Sequence, residues 1–387
     1  MDRSPVVASN SGQPSRARRL ARAFVILVPA LLLAQLLWVA IDIMRLNAID
    51  SEQLLRVFSD HVAQRDAEPL PSLGRTDMGS IESGATIWVL GASSIFFPRG
   101  ETFVEQLAGR LRARNPSLQV TNLGISGIES RALVEQFEAS LSQSPRGPEL
   151  LIIYAGHNDY NVLYHASLAR SFDLFEPLFH LLAPFTQPGL RHGMTVYLRT
   201  RVPPLLEWLQ RGRLLDFSHL DLTVVNQRIE ARFRRNLERI IDRCEALETE
   251  VLLVTPVGNL LARPYGSRAA TTAPYMWGLA LPDSAARIAL LQSAQESEFV
   301  TYDIRAKAGI AEAMRSLAGS RVSVVDLDSW LVVRGLRLHV RLFADYFHFT
   351  KWGHARVTEC LWEALAARPK LWSRLGLGPT ATAESLR

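Results

Sequence analysis

From Thr86 onward, short apolar runs alternate with longer stretches of helical periodicity. Thr86–Leu90 (TIWVL), Leu118–Leu123 (LQVTNL), Leu150–Tyr154 (LLIIY), Val251–Thr255 (VLLVT) and Val322–Leu327 (VSVVDL) are the five runs. The first four stop at or near a turn residue: Gly91, Gly124, Gly156 and Pro256. Such runs, bounded by turn residues, read as strands buried on both faces of a parallel sheet. Helical patterns separate them. Thr102–Arg114 follows the first run, Glu129–Ser142 the second, and Leu222–Leu247 precedes the fourth. This alternation predicts an α/β fold with a doubly wound, mostly parallel five-stranded sheet and helical insertions. The insertions are 162–220 and 261–319. The first contains FDLFEPLFHLLAPF and has two readings: an extra packed helix pair, or a substrate lid or membrane-lying surface. The second is largely helical.

The N-terminal pattern is different. Residues 1–23 are polar and hold Arg16, Arg18, Arg19 and Arg22, and Phe24–Ile41 carries no charge. Eighteen helical residues rise about 27 Å, close to a bilayer's hydrocarbon thickness. A transmembrane helix is therefore expected over 24–44, behind a cytoplasmic tail of 1–23. The arginines stay on the cytoplasmic side and send the rest of the chain across. A cleaved signal peptide is the rival; its apolar stretch is usually shorter, and no small-x-small site follows Ile41. Residues 45–84 read as a stalk, 85–370 as the catalytic domain and 371–387 as a tail.

Composition adds little. The net charge is +5 with the basic residues scattered. Zinc-finger, helix-turn-helix and RNA-binding patterns are absent, so no nucleic-acid partner is expected. Cys244 and Cys360 lie far apart in helical segments; they read as buried thiols, with a disulfide open in an oxidising compartment.

In open α/β sheets ligands sit beyond the carboxyl ends of the strands. The polar residues there are Gly91-Ala92-Ser93-Ser94, Asn122-Leu123-Gly124-Ile125-Ser126-Gly127 and Gly156-His157-Asn158-Asp159. Asp345-Tyr346-Phe347-His348 follows near the C-terminus, then Gly353-His354. No GxGxxG order suggests a nucleotide. His348 and His354 lack zincin spacing and no Cys/His cluster accompanies them, so no metal is expected; nothing in these segments calls for a cofactor.

In this order, the segments resemble the SGNH (GDSL) hydrolase superfamily over roughly 86–365, with the insertions poorly matched. The resemblance implies a flavodoxin-like fold and a serine esterase. It places the nucleophile at Ser93, the oxyanion glycine at Gly127, the oxyanion asparagine at Asn158, and the acid and base at Asp345 and His348. The Ser93 backbone N–H is the third oxyanion donor. Ala92 stands where the family usually has an aspartate, which puts the geometry of that turn in question. YAGHND and TPVGNL are similar to a membrane-anchored bacterial subgroup, implying an inner-membrane protein with a periplasmic catalytic domain.

The residue types suit the chemistry. A serine hydroxyl needs a base within hydrogen-bond reach, histidine titrates near neutrality, and a carboxylate three residues before it can hold its tautomer. Asp159 reads as a loop brace and His354 as structural. His157 and Asn259 are weaker candidates for contacting substrate; for Asn259 a turn-capping role is the alternative. The expected substrate is a small ester, or an acylated glycan or lipid. An O-acyltransferase acting on an envelope or exported polysaccharide needs the same residues. A non-catalytic envelope assembly module is the reading from another class.

Overall fold

The computed structural model describes residues 50–67, 86–95, 101–160, 220–264, 269–298 and 305–378, with scattered positions between 25 and 48. The expected membrane helix and the first insertion lie largely outside the described residues. Among the described residues no helix is long and apolar enough to cross a membrane.

Five parallel strands form one sheet: β1 Thr86–Gly91, β2 Gln119–Asn122, β3 Leu150–Tyr154, β4 Glu250–Val254 and β5 Val322–Val325. Their order is β2-β1-β3-β4-β5. The register aligns Val89 with Asn122 on one side and with Ile152 on the other. Chain growth reverses direction at β1, so the loops leaving β1 and β3 part company there. That is the switch point at which doubly wound sheets bind ligands.

Every residue of β1 and β3 is buried, which is why these strands read as continuous apolar runs. Alternation survives as a division between two faces. Ile87, Val89, Leu150, Ile152, Tyr154, Leu252 and Val254 join one cluster. Helix α2 (Phe103–Arg114) adds Phe103, Leu107 and Leu111 to it, at a four-residue spacing. Trp88 points to the opposite face, where its ring meets Phe137 edge-on at 6.2 Å. Phe137 belongs to α3 (Ser130–Gln143), which packs against α4 (Thr223–Ala246). Burying each large aliphatic side chain contributes about 1.5–3 kcal/mol relative to exposure.

The second insertion supplies α5 (Ala269–Ala280), α6 (Ala285–Glu296) and α7 (Ala308–Arg315). After β5, Asp326 caps α8 (Leu327–Val333) by accepting from the Ser329 N–H. The fifth strand therefore ends at Val325, before the Leu327 suggested by hydropathy. Helix α9 (Lys351–Ala366) follows, capped by Thr350.

Two boundaries differ from the sequence expectation. The short helical pattern around Glu52–Val62 in the expected stalk is a longer helix, α1 (Ser51–Ala67), packed on the domain with Leu54 and Phe58 buried one turn apart. It lies beside α4, tied by the Arg228 side chain donating to Ser59 Oγ at 2.5 Å. The expected tail begins within the core: α10 (Pro369–Arg374) buries Leu371 and Trp372, and Leu375 and Leu377 follow them in. Trp372 meets Trp362 of α9 edge-on at 5.1 Å. The domain thus continues to Leu377, because these apolar residues find a partner in α9 that only the folded chain provides.

Both cysteines are free and buried. Burial pushes each thiol up to about 12, which leaves them protonated and inert as nucleophiles.

Candidate active site

Ser93 opens a single 3-10 turn, Ser93–Ile95, directly after β1. Its hydroxyl lies 2.8 Å from His348 Nε2. His348 Nδ1 lies 2.6 Å from Asp345 Oδ2. The other carboxylate oxygen accepts from the Phe347 and His348 backbone N–H groups at 3.0 and 2.8 Å. Burial pushes the Asp345 pKa up. The His348 side-chain bond and these two backbone bonds outweigh that, so Asp345 sits below its ordinary value and stays ionised. An ionised carboxylate there holds the proton on His348 Nδ1 and leaves Nε2 to accept one from Ser93.

The acid and base share one tight loop. Phe343 and Phe349 form an antiparallel bridge with stacked rings 5.0 Å apart. The Ala344 N–H donates to His348 O at 2.8 Å. Thr350 then caps α9 by accepting from the Gly353 N–H at 3.0 Å. Asp345 and His348 are thereby held at the tip, outside the helix.

The turn that carries Ala92 is held by Asn122, the last residue of β2. Its Nδ2 donates to Ile95 O at 2.8 Å, and its Oδ1 accepts from the Gly124 N–H at 2.9 Å. One amide thus joins the turns after β1 and β2, and the turn is braced with alanine at position 92.

β1 lies between β2 and β3, so the Ser93 turn is flanked by the Gly127 loop and the Asn158 loop. Gly127 takes φ +76° with open space around an added Cβ; its glycine meets a backbone requirement. Neither the Ser93 nor the Gly127 backbone N–H is spent on a described hydrogen bond. Asn158 is buried, and its Nδ2 donates to Ile128 O at 2.9 Å. That bond uses one amide hydrogen, fixes the amide plane and leaves the second hydrogen available. Gly127 and Asn158 thus stand in the loops after β2 and β3, on either side of the Ser93 turn.

Asp159 braces the same two loops. Both of its oxygens accept from the Ser130 N–H at 3.2 Å, and one also accepts from the Ser130 hydroxyl. Burial, then the nearby Glu129, push its pKa up to about 7 against the pull of Ser130 and Arg232. Glu129 pairs with Arg232 at 2.5 Å, both buried.

His157 and His354 are buried in the scaffold, and Asn259 is partly exposed. His157 is 3% exposed, accepts from the Ala306 N–H at Nδ1 (3.1 Å) and stacks on Phe347 at 4.9 Å. Asn259 donates through its side chain to Asp345 O at 2.9 Å and through its backbone to Tyr346 O at 2.7 Å. His354 accepts at Nδ1 from the Phe103 N–H at the start of α2 (3.1 Å).

Two residues absent from the sequence reading also converge here. Arg305 donates to Asn259 O, and Arg337 donates to Gly258 O at 2.8 Å. Each is paired with a carboxylate, Glu298 and Asp328 respectively. In a chain with arginine throughout, no local signal separates these two from the rest.

A parallel α/β sheet with a Ser–His–Asp relay over its switch point defines a serine hydrolase of the doubly wound class. A model of the GDSL-like Lipase/Acylhydrolase family matches residues 89–356, and the chain belongs to that family of ester-hydrolysing enzymes. No curated protein matches the chain. Solved structures that align with it include an acetyl xylan esterase at 12% identity, covering 72% of this chain and 99% of that one with a TM-score of 0.38. Another is a lipase/acylhydrolase from Enterococcus faecalis at 14% identity, covering 73% and 96% with a TM-score of 0.36. An acetylxylan esterase from Geobacillus stearothermophilus aligns at 16% identity, covering 74% and 95% with a TM-score of 0.37.

Proposed function

We propose that the chain is a membrane-anchored serine esterase that removes O-acyl groups, from a glycan or a small lipid ester, outside the cytoplasm. The observation that carries the chemistry is the continuous relay from Ser93 through His348 to Asp345. The anchoring and the side of the membrane rest on the arginine-flanked apolar segment at the N-terminus.

The reaction proceeds in two halves. Ser93 Oγ attacks the ester carbonyl carbon while His348 Nε2 takes its proton. The carbonyl electron pair moves onto oxygen, and the Ser93 and Gly127 N–H groups and the Asn158 amide hold that oxyanion. As the C–O bond to the alcohol breaks, His348 returns the proton to the departing oxygen, leaving an acyl-Ser93 ester. Water then attacks the acyl carbon, giving its proton to His348. Collapse of the second oxyanion releases the acid and restores the Ser93 hydroxyl. Asp345 remains a carboxylate throughout and balances the transient imidazolium.

Turnover of p-nitrophenyl acetate by the full-length chain, with covalent labelling by a fluorophosphonate, tests the assignment. Ser93→Ala is expected to abolish labelling and lower kcat by about 10⁴-fold or more. Unchanged turnover in that variant removes Ser93 from the mechanism. Product analysis with a sugar acceptor present separates hydrolysis from acyl transfer: free acid is expected, and an acylated sugar in its place overturns the hydrolytic reading.

A further inference from the structure

The loop that carries Asp345 and His348 is supported from below by two consecutive residues of the second insertion. Arg305 is 1% exposed. Its Nε and Nη2 make a two-point contact with Glu298 at 3.0 and 2.5 Å, and its remaining nitrogen, Nη1, donates to Asn259 O. Asn259 in turn donates from its side chain to Asp345 O and from its backbone to Tyr346 O. The Arg305 guanidinium also lies over the Tyr346 ring, 5.9 Å from its centre. The next residue, Ala306, donates its N–H to His157, whose ring stacks on Phe347. Each residue from Asp345 to Phe347, directly before the base, is thus gripped through the Arg305–Ala306 pair.

This pair is itself fixed. Ala306 O accepts from Gln295 Nε2 at 2.7 Å, and Lys307 Nζ donates to the carbonyls of Glu296 and Glu298 at 2.7 and 2.9 Å. The C-terminal end of α6 therefore forms its seat. Gly258 leaves room for the arginine, since a Cβ there would meet the Arg305 side chain at 2.7 Å. A planar guanidinium suits the position: two donors hold the carboxylate in a fork and the third reaches a carbonyl on the far side.

We propose that Arg305 is a positioning residue for the acid–base pair, acting through Asn259, and that insertion 261–319 exists in part to supply it. The inference rests on Ser93, His348 and Asp345 being the reacting groups. Its physical content is that a shift of the Asp345 main chain alters the carboxylate–imidazole contact, and a misplacement of about 1 Å can cost about 10²-fold in rate.

The test is steady-state hydrolysis of p-nitrophenyl acetate by full-length Arg305→Ala, Arg305→Lys and Asn259→Ala, with Ser93→Ala and the parent alongside. Arg305→Ala and Asn259→Ala are expected to lower kcat by about 10-fold to 10²-fold with KM within about threefold. They should also displace the acid limb of the kcat/KM pH profile and slow fluorophosphonate labelling in proportion. Arg305→Lys, which retains the charge but gathers its donors on one nitrogen in place of the planar fork, is expected to recover part of the loss. A brace that only supports the fold would lower thermal stability while leaving kcat per folded molecule, the pH limb and the labelling rate unmoved; that result overturns the proposal. Should Arg305→Ala fail to fold around the orphaned Glu298, Asn259→Ala decides alone, because its backbone bond to Tyr346 persists. Full activity in Ser93→Ala would instead overturn the serine mechanism. An inactive Ser93→Ala beside a parent-like Asn259→Ala would overturn only the positioning role.

Discussion

At the residue scale, the proposed oxyanion role of Asn158 rests on how its amide is held. Its amide spends one hydrogen on Ile128 O, which locks the plane and points the other hydrogen without further reorganisation. Preorganised donors matter because they gain strength only as the oxyanion forms. Asn158→Ala is accordingly expected to cost about 10²–10³ in kcat, or about 3 kcal/mol, with a small change in KM. Steady-state kinetics on p-nitrophenyl acetate checks this; a loss confined to KM would assign Asn158 to substrate binding. Ala92 carries a related lesson. The turn around it is held by a neighbouring strand, through Asn122.

At the element scale, the loops after β1 and β3 meet the Asp345–His348 loop and the Arg305–Ala306 pair. His157 stands at that junction, between the Ala306 N–H and the Phe347 ring. Burial, reinforced by the nearby His348, lowers its pKa to about 3, against the pull of Asp345. A free histidine titrates near 6.5. Between about 6.5 and about 3 the unfolded chain therefore binds a proton that the native chain refuses. Stability from this residue is full above that window and is lost as the pH falls through it, by at most about 1.4 kcal/mol per pH unit. His157→Asn keeps an acceptor for Ala306 but does not titrate. Urea unfolding from pH 7 to pH 4 is expected to show a shallower loss of stability in the variant than in the parent. Parallel curves would mean that His157 becomes protonated in the native state. Asp159, shifted upward by burial, contributes the opposite slope but does so equally in both proteins.

At the scale of the whole molecule, the hydrolase unit shares the chain with an uncharged apolar segment, Phe24–Ile41. The proposed anchoring is checked by fractionating bacterial cells that express the full-length chain. The protein should remain in the membrane pellet after alkaline carbonate washing, and its C-terminus should be cleaved by protease once the outer membrane is permeabilised. Deleting residues 24–44 should release it. A full-length chain found in the cytosolic fraction, or protected from protease, would overturn the topology.

Much of the fold was legible without coordinates, and the physical reason is locality. A strand buried on both faces must be apolar along its whole length, so β1 and β3 announce themselves over five or six neighbouring residues. The ligand-bearing ends of such strands are turns, so Ser93, Gly127 and Asn158 stood out near the ends of three runs, whereas the Asp345–His348 pair, well beyond the fifth run, was marked only by the family resemblance. What only the tertiary structure decided is how those ends are placed and held. The order β2-β1-β3 sets Ser93 between the Gly127 and Asn158 loops, and no run of residues encodes which neighbour lies on which side. Arg305 and Glu298 become a buried pair, and Leu371 to Leu377 join the core, for a like reason. A charge can be buried only where the folded chain brings a partner to it, and an apolar tail is only a tail until another helix offers it a face. The sequence offered the candidate reacting groups; long-range packing decided what surrounds and holds them.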